Sequence, residues 1–146
     1  MKNKSLAAGA SLLIGASYVA IGTLGFTITG FNSFLTDTGD TLAFGFASIN
    51  PMHNLVHLAI GAFLIVMTRF SSATAEGALM GVGLFYIVAF VIGVTAADNL
   101  TIIAMNGAGD GENLIHIVTG VTALTAGLIS AGRSESMARR TGIPAS

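Results

Sequence analysis

Long uncharged stretches alternate with short polar segments along the chain, and this pattern predicts four membrane-spanning helices. A helix that crosses the roughly 30 Å hydrocarbon core needs about 20 predominantly apolar residues, a length that the second stretch only approaches. The predicted spans cover residues 6–28, 51–68, 77–97 and 113–131. Asn50 followed by Pro51 suits the N-cap and the first position of the second helix. We therefore expect an all-α integral membrane fold in a single domain, residues 1–146.

The composition agrees with a chain surrounded by lipid. Of the 146 residues, 53% are hydrophobic and 9% are charged, whereas soluble domains carry about 25% charged residues. Nineteen glycines suit helices that pack closely in a bilayer. The chain has no cysteine, which excludes disulfides, thiolate metal sites, iron–sulfur clusters and a cysteine nucleophile. It also lacks a P-loop, a dinucleotide-binding fingerprint, an HExxH motif and a nucleophile elbow, so the sequence favours a protein that is not an enzyme.

The charged residues are distributed unequally between the two sides of the predicted bundle. The basic residues fall at the N-terminus, between the second and third spans, or after the fourth span: Lys2, Lys4, Arg69, Arg133, Arg139 and Arg140. The other two loops carry the acidic residues Asp37, Asp40, Asp98, Asp110 and Glu112. Under the positive-inside rule, this distribution predicts that both termini are cytoplasmic, with residues 132–146 forming a basic, flexible tail.

Two connections bear on the layout of the helices. The cytoplasmic connection, residues 70–76, is short, so we expect the second and third helices to be antiparallel neighbours. The outer loop, residues 29–50, is longer and rich in phenylalanine. It is either an irregular segment with aromatic anchors or an ordered cap that folds over the bundle.

One motif occurs twice in the sequence. Its copies stand at a spacing of 59 residues (54 to 113): Asn54-Leu-Val-His57-x-x-x-Gly61 and Asn113-Leu-Ile-His116-x-x-x-Gly120. A second pair of matching segments stands at a spacing of 68 residues (15 to 83): Gly15-Ala-Ser-Tyr18 and Gly83-Leu-Phe-Tyr86. These matches predict two tandem helical hairpins with the same orientation, related by an approximate two-fold axis along the membrane normal.

Helical spacing places the repeated polar residues on one stripe of each helix. Asn54 and His57 stand at i and i+3, and the second copy of the motif has the same spacing. His57 and His116 should therefore lie at one depth and face each other across the bundle. His53, one turn from His57, has no histidine counterpart in the second half, where Glu112 lies nearby in the alignment.

The first and third helices carry stripes of small and aromatic residues at similar spacing. They are Gly15, Tyr18, Gly22 and Gly25 on the first helix, and Gly83, Tyr86, Phe90 and Gly93 on the third. Such stripes favour close helix packing in lipid. We expect Tyr18 and Tyr86 to support the histidine pair by packing against glycines, with each hydroxyl bonded to a backbone carbonyl.

The histidine pair has three interpretations. The first is a polar clamp, because Asn and His side chains in a bilayer normally turn toward protein partners and fix helix register by hydrogen bonds. The second is ligation of haem b or a transition metal by His57 and His116, with His53 as a third candidate. Two observations argue against ligation: the chain has few histidines, and the predicted spans contain no carboxylate. The third is proton-linked behaviour, for which no acidic residue continues a relay.

The two copies of the motif also resemble a known family. Asn50-Pro-Met-His53-Asn-Leu-Val-His57-Leu-Ala-Ile-Gly61 and the segment at residues 113–120 are similar to segments of a bacterial four-helix membrane family catalogued as domain of unknown function 4383. The resemblance covers residues 6–131. It implies a multi-pass protein of the bacterial inner membrane in which Asn54, His57, Asn113 and His116 matter. It implies no activity, cofactor or partner.

These observations favour a non-enzymatic structural, accessory or assembly protein that packs with itself or with a larger membrane complex. The lipid bilayer is its first partner, and the cationic tail is too sparse for a nucleic-acid arm. The alternative is a haem- or metal-binding membrane protein that uses the intramembrane histidine pair.

Overall fold

Four α-helices and one β-hairpin make up the described part of the chain, which comprises residues 5–34, 41–95, 103–105 and 107–142 of the computed structural model. In chain order they are α1 (Leu6–Thr29), β1 (Thr41–Ala43), β2 (Ala47–Ile49), α2 (Pro51–Met67), α3 (Ser72–Thr95) and α4 (Glu112–Thr141). The predicted helical fold is confirmed at this level. Outside the described residues lie the charged residues Lys2, Lys4, Asp37, Asp40 and Asp98, residues 96–97 of the third predicted span, and residues 143–146 of the predicted tail.

Polar residues begin α2 and α4. The Asn50 side chain accepts a hydrogen bond from the His53 N–H (2.8 Å), and Pro51 lies in the first turn, which confirms the predicted start of α2. At the start of α4, Asp110 Oδ1 accepts a hydrogen bond from the Glu112 N–H (3.0 Å). A carboxylate at this position also faces the positive end of the helix dipole. Both helices are therefore capped at their first turn by a polar side chain.

Three helices, α1, α3 and α4, are long and apolar enough to cross a membrane. The fourth, α2, is also apolar but has 17 residues, fewer than the roughly 20 that a perpendicular span needs. The sequence predicts four spans, and the structure supplies three helices of spanning length and a shorter apolar one.

α4 extends past the predicted span boundary at residue 131 to Thr141, so residues 132–141 are helical where the sequence predicts a flexible tail. Glu135 and Arg139 form an ion pair one turn apart. Arg139 and Arg140 lie in the last turn, where positive charge favours the helix dipole. Gly142 ends the helix in the left-handed conformation, with a φ of 66°. These local helix-stabilising features are invisible to hydropathy and account for the difference.

The helices pack as two close pairs, α1 with α2 and α3 with α4, whereas α2 meets α3 only slightly. Glycines let the backbones touch within each pair. A Cβ built at Gly15 would lie 2.8 Å from Gly61 O, and one built at Gly83 would lie 2.9 Å from Gly120 O. The predicted stripes are buried, apart from the half-buried Phe90. The short connection between α2 and α3 predicted that these two helices are close neighbours. Their contact is instead slight, because close glycine packing occurs within the two pairs.

We call the end of the bundle with the α1–α2 and α3–α4 connections the loop end, and the opposite end the terminal end. At the loop end, the antiparallel hairpin pairs Thr41 with Ile49, Leu42 with Ser48 and Ala43 with Ala47. The hairpin bonds to the start of α4: Gly111 N–H donates to Phe46 O (3.0 Å), and Ser48 N–H donates to Asp110 Oδ1 (3.0 Å). Residues 41–49 of this loop therefore form an ordered cap rather than an irregular segment.

Glu76 is buried at the terminal end, although the sequence places it in the connection between two spans. α3 begins at Ser72, so Glu76 lies in the second turn of that helix, where it is 6% exposed. Its Oε1 accepts hydrogen bonds from the hydroxyls of Ser130 (2.9 Å) and Ser134 (2.8 Å) on α4. Ser130 Oγ also accepts a hydrogen bond from Ala7 N–H (3.2 Å). These bonds join α1, α3 and α4 and offset the cost of burying a carboxylate.

Candidate metal centre

Four buried side chains from two helices converge at the loop end, and we call them the His–Glu cluster: His53, His57, Glu112 and His116. One candidate ligand atom from each residue lies within 4.8 Å of every other. Each helix supplies an i, i+4 pair, with His53 and His57 on α2 and Glu112 and His116 on α4. Because residues four apart share a helix face, both pairs point toward the same space. The structure thus brings all three predicted histidines together.

The nitrogen atoms and one carboxylate oxygen lie close together inside the cluster. His53 Nε2 is 3.0 Å from His57 Nε2. Glu112 Oε2 is 3.5 Å from His53 Nε2 and also 3.5 Å from His116 Nε2. His53 Nδ1 is 2.7 Å from the Ile103 carbonyl oxygen, which makes Nδ1 the protonated nitrogen. When its ring is neutral, His53 therefore presents the lone pair of its Nε2 to the other three residues.

The cluster is nearly removed from solvent, with exposed fractions of 4% for His53, 1% for His57, 3% for Glu112 and 4% for His116. Three of its atoms are buried without a hydrogen-bond partner among the described residues: His57 Nδ1, His116 Nδ1 and Glu112 Oε2. A buried polar atom that lacks a partner costs about 1–3 kcal/mol, and more if it is charged. The Glu112 carboxylate has no lysine or arginine among its described contacts. The cluster therefore requires positive charge from a proton or a bound cation.

Tyr18 and Tyr86 pack against the histidines. The Tyr18 ring meets the His57 ring edge-on at a centroid distance of 4.8 Å, and the Tyr86 and His116 ring centroids are 5.3 Å apart. The Tyr18 hydroxyl donates to Thr119 Oγ1 (2.8 Å), a side chain rather than the expected backbone carbonyl. The Tyr86 hydroxyl is buried beside Tyr18 and makes no hydrogen bond of standard geometry among the described residues.

Asn54 lies beside the cluster and bonds to other groups. Its Nδ2 donates to Thr29 Oγ1 (2.9 Å), and its Oδ1 fills the space beside Gly25, only 2.0 Å from where a Cβ would stand. Asn54 therefore ties α2 to α1.

Asn113 has the matching glycine contact in the second helix pair, but its amide bonds to the loop between α3 and α4. Its Nδ2 donates to Gly107 O (2.8 Å), and its Oδ1 lies 2.0 Å from where a Cβ on Gly93 would stand. The two asparagines thus link helices within the pairs, whereas the histidines and Glu112 link α2 to α4.

Residues next to Glu112 hold its helix turn against the hairpin cap. Gly111 leaves no room for a side chain, because a Cβ there would lie 2.0 Å from Phe46 Cδ2 and 2.5 Å from Phe46 O. Asp110 Oδ1 receives N–H groups from both Ser48 and Glu112 at 3.0 Å. The cap therefore sets the position of the first turn of α4, from which Glu112 reaches the histidines.

Sequence reasoning missed Glu112 as a member of the site. It treated Glu112 as a loop residue outside the fourth span and counted the lack of an intramembrane carboxylate against ligation. The signal was present in the repeat, because Glu112 stands 59 residues after His53 (53 to 112), the spacing of the repeated motif. The position matched, but the residue type differed, so the pattern of identical residues did not reveal it.

Residues 9–139 match the family model described as a domain of unknown function, DUF4383. The chain belongs to the DUF4383 family. The match covers all four helices of this DUF4383 protein except the ends of α1 and α4, and it includes the whole His–Glu cluster. Neither a curated protein nor a solved structure resembles the chain closely enough to count as a match.

The donor set of this DUF4383 protein is chemically suited to a transition-metal ion. Imidazole nitrogens and a carboxylate oxygen are ligands for zinc, copper and iron. With metal–ligand bonds of about 2.0–2.2 Å, the edges of a tetrahedral site measure about 3.3–3.6 Å. Three separations in the cluster, 3.0, 3.5 and 3.5 Å, are close to those edges, and all the candidate ligand atoms lie within 4.8 Å of one another.

Proposed function

We propose that this DUF4383 protein is a membrane protein that binds one divalent transition-metal ion at the His–Glu cluster. The observation that carries the proposal is the convergence of His53, His57, His116 and Glu112, with candidate ligand atoms within 4.8 Å of one another. A divalent cation supplies the positive charge that the buried carboxylate lacks. It also occupies the Glu112 Oε2 lone pairs, which no described donor reaches.

The tautomer of His53 supports metal binding. A ligating histidine normally donates its second ring N–H to a backbone carbonyl or a carboxylate, which orients the ring. His53 makes such a bond from Nδ1 to Ile103 O. Metal binding through the Nε2 atoms of His53, His57 and His116 would replace the present 3.0 Å contact between the His53 and His57 Nε2 atoms.

The donor set favours a bare ion over haem. A bis-histidine haem requires an open gap for a porphyrin between two axial nitrogens. Here Glu112 Oε2 lies 3.5 Å from both His53 Nε2 and His116 Nε2, so side chains fill that gap. Three nitrogens and one oxygen suit Zn²⁺, and Cu²⁺ binds the same atom types.

A structural role for the two asparagines is a second proposal. Asn54 and Asn113 each place Oδ1 against a glycine on the partner helix of their pair. Hydrogen bonds between membrane helices contribute about 0.6–2 kcal/mol each. The matching contacts at Asn54–Gly25 and Asn113–Gly93 also support a tandem duplication of one helical hairpin. Such a rigid bundle also suits the accessory or assembly role in the bilayer that the sequence favours.

The charge distribution supports a bacterial cell-membrane protein with both termini in the cytoplasm. Among the described residues, Arg69, Arg133, Arg139 and Arg140 all lie at the terminal end, and Asp110 and Glu112 lie at the loop end. Under the positive-inside rule the metal site would then lie near the outer face. Because the chain has no cysteine, Ala108→Cys and Ser136→Cys would each introduce a single exposed thiol. An impermeant maleimide should label the first from outside intact cells and not the second; the reverse labelling would overturn this orientation.

Metal analysis of protein purified in mild detergent tests the proposed site. We expect about one bound metal ion per chain in the wild type and loss of that ion in His116→Ala. Glu112→Gln should weaken binding by tenfold or more, because even residues that only support metal ligands contribute about 10–100-fold. Glu76→Gln is the matched control, since it neutralises a second carboxylate that is buried in the described part of the chain, at the terminal end. A folded wild type that takes up no stoichiometric zinc, copper or iron, even after reconstitution, would refute the proposal.

A further inference from the structure

The turn of the hairpin cap exposes two phenylalanine rings. Phe44 is 81% exposed, and Phe46 is 49% exposed because its ring packs partly beside Gly111. By contrast, the strand side chains that the structure describes are buried: Ala43, Ala47, Ser48 and Ile49. The exposed apolar surface of the cap is therefore concentrated at its turn.

Phe44 has a backbone conformation that a bulky residue rarely adopts. A hydrogen bond from Phe46 N–H to Ala43 O (3.2 Å) closes the turn, so Phe44 and Gly45 are its two central residues. Both have positive φ, 53° and 78°, and asparagine–glycine or glycine–glycine is the usual pair at such positions. A phenylalanine there costs conformational free energy that glycine or asparagine largely avoids. Turn formation therefore does not account for an aromatic ring at position 44, and an outlier of this kind points to a function for the side chain.

The hairpin lies across the starts of α2 and α4, which brings its turn to the rim of the bundle. β2 leads directly into Asn50, the residue that caps α2. Phe46 and Ser48, which precede Asn50, both hydrogen-bond to the start of α4. The strand thus runs from α4 toward α2. The turn at Phe44 lies at the other end of the strand, past α4 rather than over the centre of the bundle.

The exposed apolar surface of the bundle reaches the level of the hairpin. Exposed aliphatic side chains occur in the last turn of α1 (Ile28), the second turn of α2 (Leu55) and the first turn of α4 (Leu114). Phe31, beyond the end of α1, is also exposed and stacks on Phe26 at a centroid distance of 4.5 Å. A bilayer that covers these side chains has its boundary with water at the hairpin. Aromatic side chains are enriched at this depth in membrane proteins.

We propose that the Phe44 ring inserts into the interfacial region of the bilayer and anchors the hairpin cap to the leaflet at the loop end. Transfer of the exposed ring from water to the acyl-chain boundary is favourable and offsets the conformational cost of its backbone. Residues 41–49 also contain no charged side chain that would hold the hairpin away from lipid. The inference rests on the proposed membrane location and is independent of the metal site.

A lipid surface suits this turn better than a protein partner does. An aromatic side chain buries about 150–250 Å², whereas a stable protein interface takes about 800 Å² from each partner. The ring of Phe44 and the half-exposed ring of Phe46 together fall well below that area, and the strand residues behind them are buried in the cap. Insertion of a single ring into lipid has no such minimum area.

Tryptophan fluorescence measures the depth of the ring. The chain has no tryptophan, so Phe44→Trp introduces a single fluorophore of similar character. The full chain is reconstituted into phosphatidylcholine vesicles whose acyl chains carry bromine either near the carbonyl end or near the terminal methyl group, and iodide probes contact with water. Two control variants mark the extremes, both at exposed positions: Phe85→Trp in the middle of α3 and Ala108→Trp in the loop between α3 and α4.

We expect bromine near the carbonyl end to quench Phe44→Trp roughly twofold more than bromine near the methyl end, because an interfacial side chain lies only about 5–10 Å deep. Phe85→Trp should show the reverse preference, and Ala108→Trp should respond mainly to iodide. If iodide quenches Phe44→Trp as strongly as Ala108→Trp, the anchor is overturned. Protection of Phe44→Trp from both bromine and iodide would also overturn it, by placing the ring against protein. If bromine leaves Phe85→Trp unquenched, the membrane location itself is refuted.

Discussion

Replacement of Gly25 by alanine should loosen the contact between α1 and α2. A Cβ at this position would lie 2.0 Å from Asn54 Oδ1, where ordinary van der Waals contact needs well over 3 Å. Asn54 is fully buried and donates to Thr29 Oγ1 on α1. The alanine must therefore displace the amide or separate the two helices.

The size of the effect follows from three contributions. Loss of the Asn54–Thr29 hydrogen bond costs about 0.6–1.7 kcal/mol in a membrane protein. Overpacking costs about 1–3 kcal/mol. Alanine returns up to about 1 kcal/mol through its helix propensity. We expect Gly25→Ala to lower the free energy of unfolding by about 1–4 kcal/mol.

Equilibrium unfolding in mixed detergent and SDS micelles, followed by circular dichroism, measures this change. Gly9→Ala on the same helix is the control, because nothing lies within 4 Å of its Cβ position. In an Asn54→Ala background the clashing amide is absent, so Gly25→Ala should cost about 1–2 kcal/mol less. Equal free energies of unfolding for Gly25→Ala and Gly9→Ala would refute the reasoning.

Three further predictions concern the cluster and its surroundings. Tyr18→Phe removes the hydrogen bond to Thr119 and should cost about 0.6–2 kcal/mol of stability with metal content unchanged; lost metal would assign Tyr18 a larger role. The alanine in Gly111→Ala would collide with Phe46 and displace Glu112, so metal affinity measured by competition titration should fall. Gly109→Ala, whose Cβ position is open, should leave the affinity unchanged. Removal of the metal by a chelator should lower the free energy of unfolding. The expected loss is about 2.7 kcal/mol if the free metal concentration before chelation was 100 times its dissociation constant; an unchanged unfolding curve would contradict tight binding.

Much of the helical framework was predictable because it follows local rules. Apolar stretches and the Asn50–Pro51 start identified α2, and heptad-like glycine spacing identified the buried face of every helix. The end of α4 was not predicted, because hydropathy indicates a helix only as far as its last apolar residues. The Glu135–Arg139 ion pair and the cap at Gly142 stabilise the helix beyond them. The burial of Glu76 was missed for a similar reason, because its partners Ser130 and Ser134 are distant in sequence.

The candidate site was likewise predictable only in part. The repeated motif identified His57 and His116, and helical spacing added His53 one turn away. Glu112 was seen near the position that matches His53 in the second half but was not assigned to the site, because a single acidic residue at a helix start normally faces water. Its burial depends on the hairpin cap, where Gly111 and Asp110 bond to β2 and its preceding turn.

The sequence by itself determined the helices, their buried stripes and the histidines, because hydropathy, capping and periodicity act over one or two turns. Only the tertiary structure decided that α2 and α4 bring an i, i+4 pair each to one point and that a carboxylate completes the set. Those features depend on how two helix pairs meet and how a distant hairpin seats the start of α4. Contacts of this kind join residues about 50–60 positions apart, such as His53 and Glu112, and leave no local pattern from which to predict them.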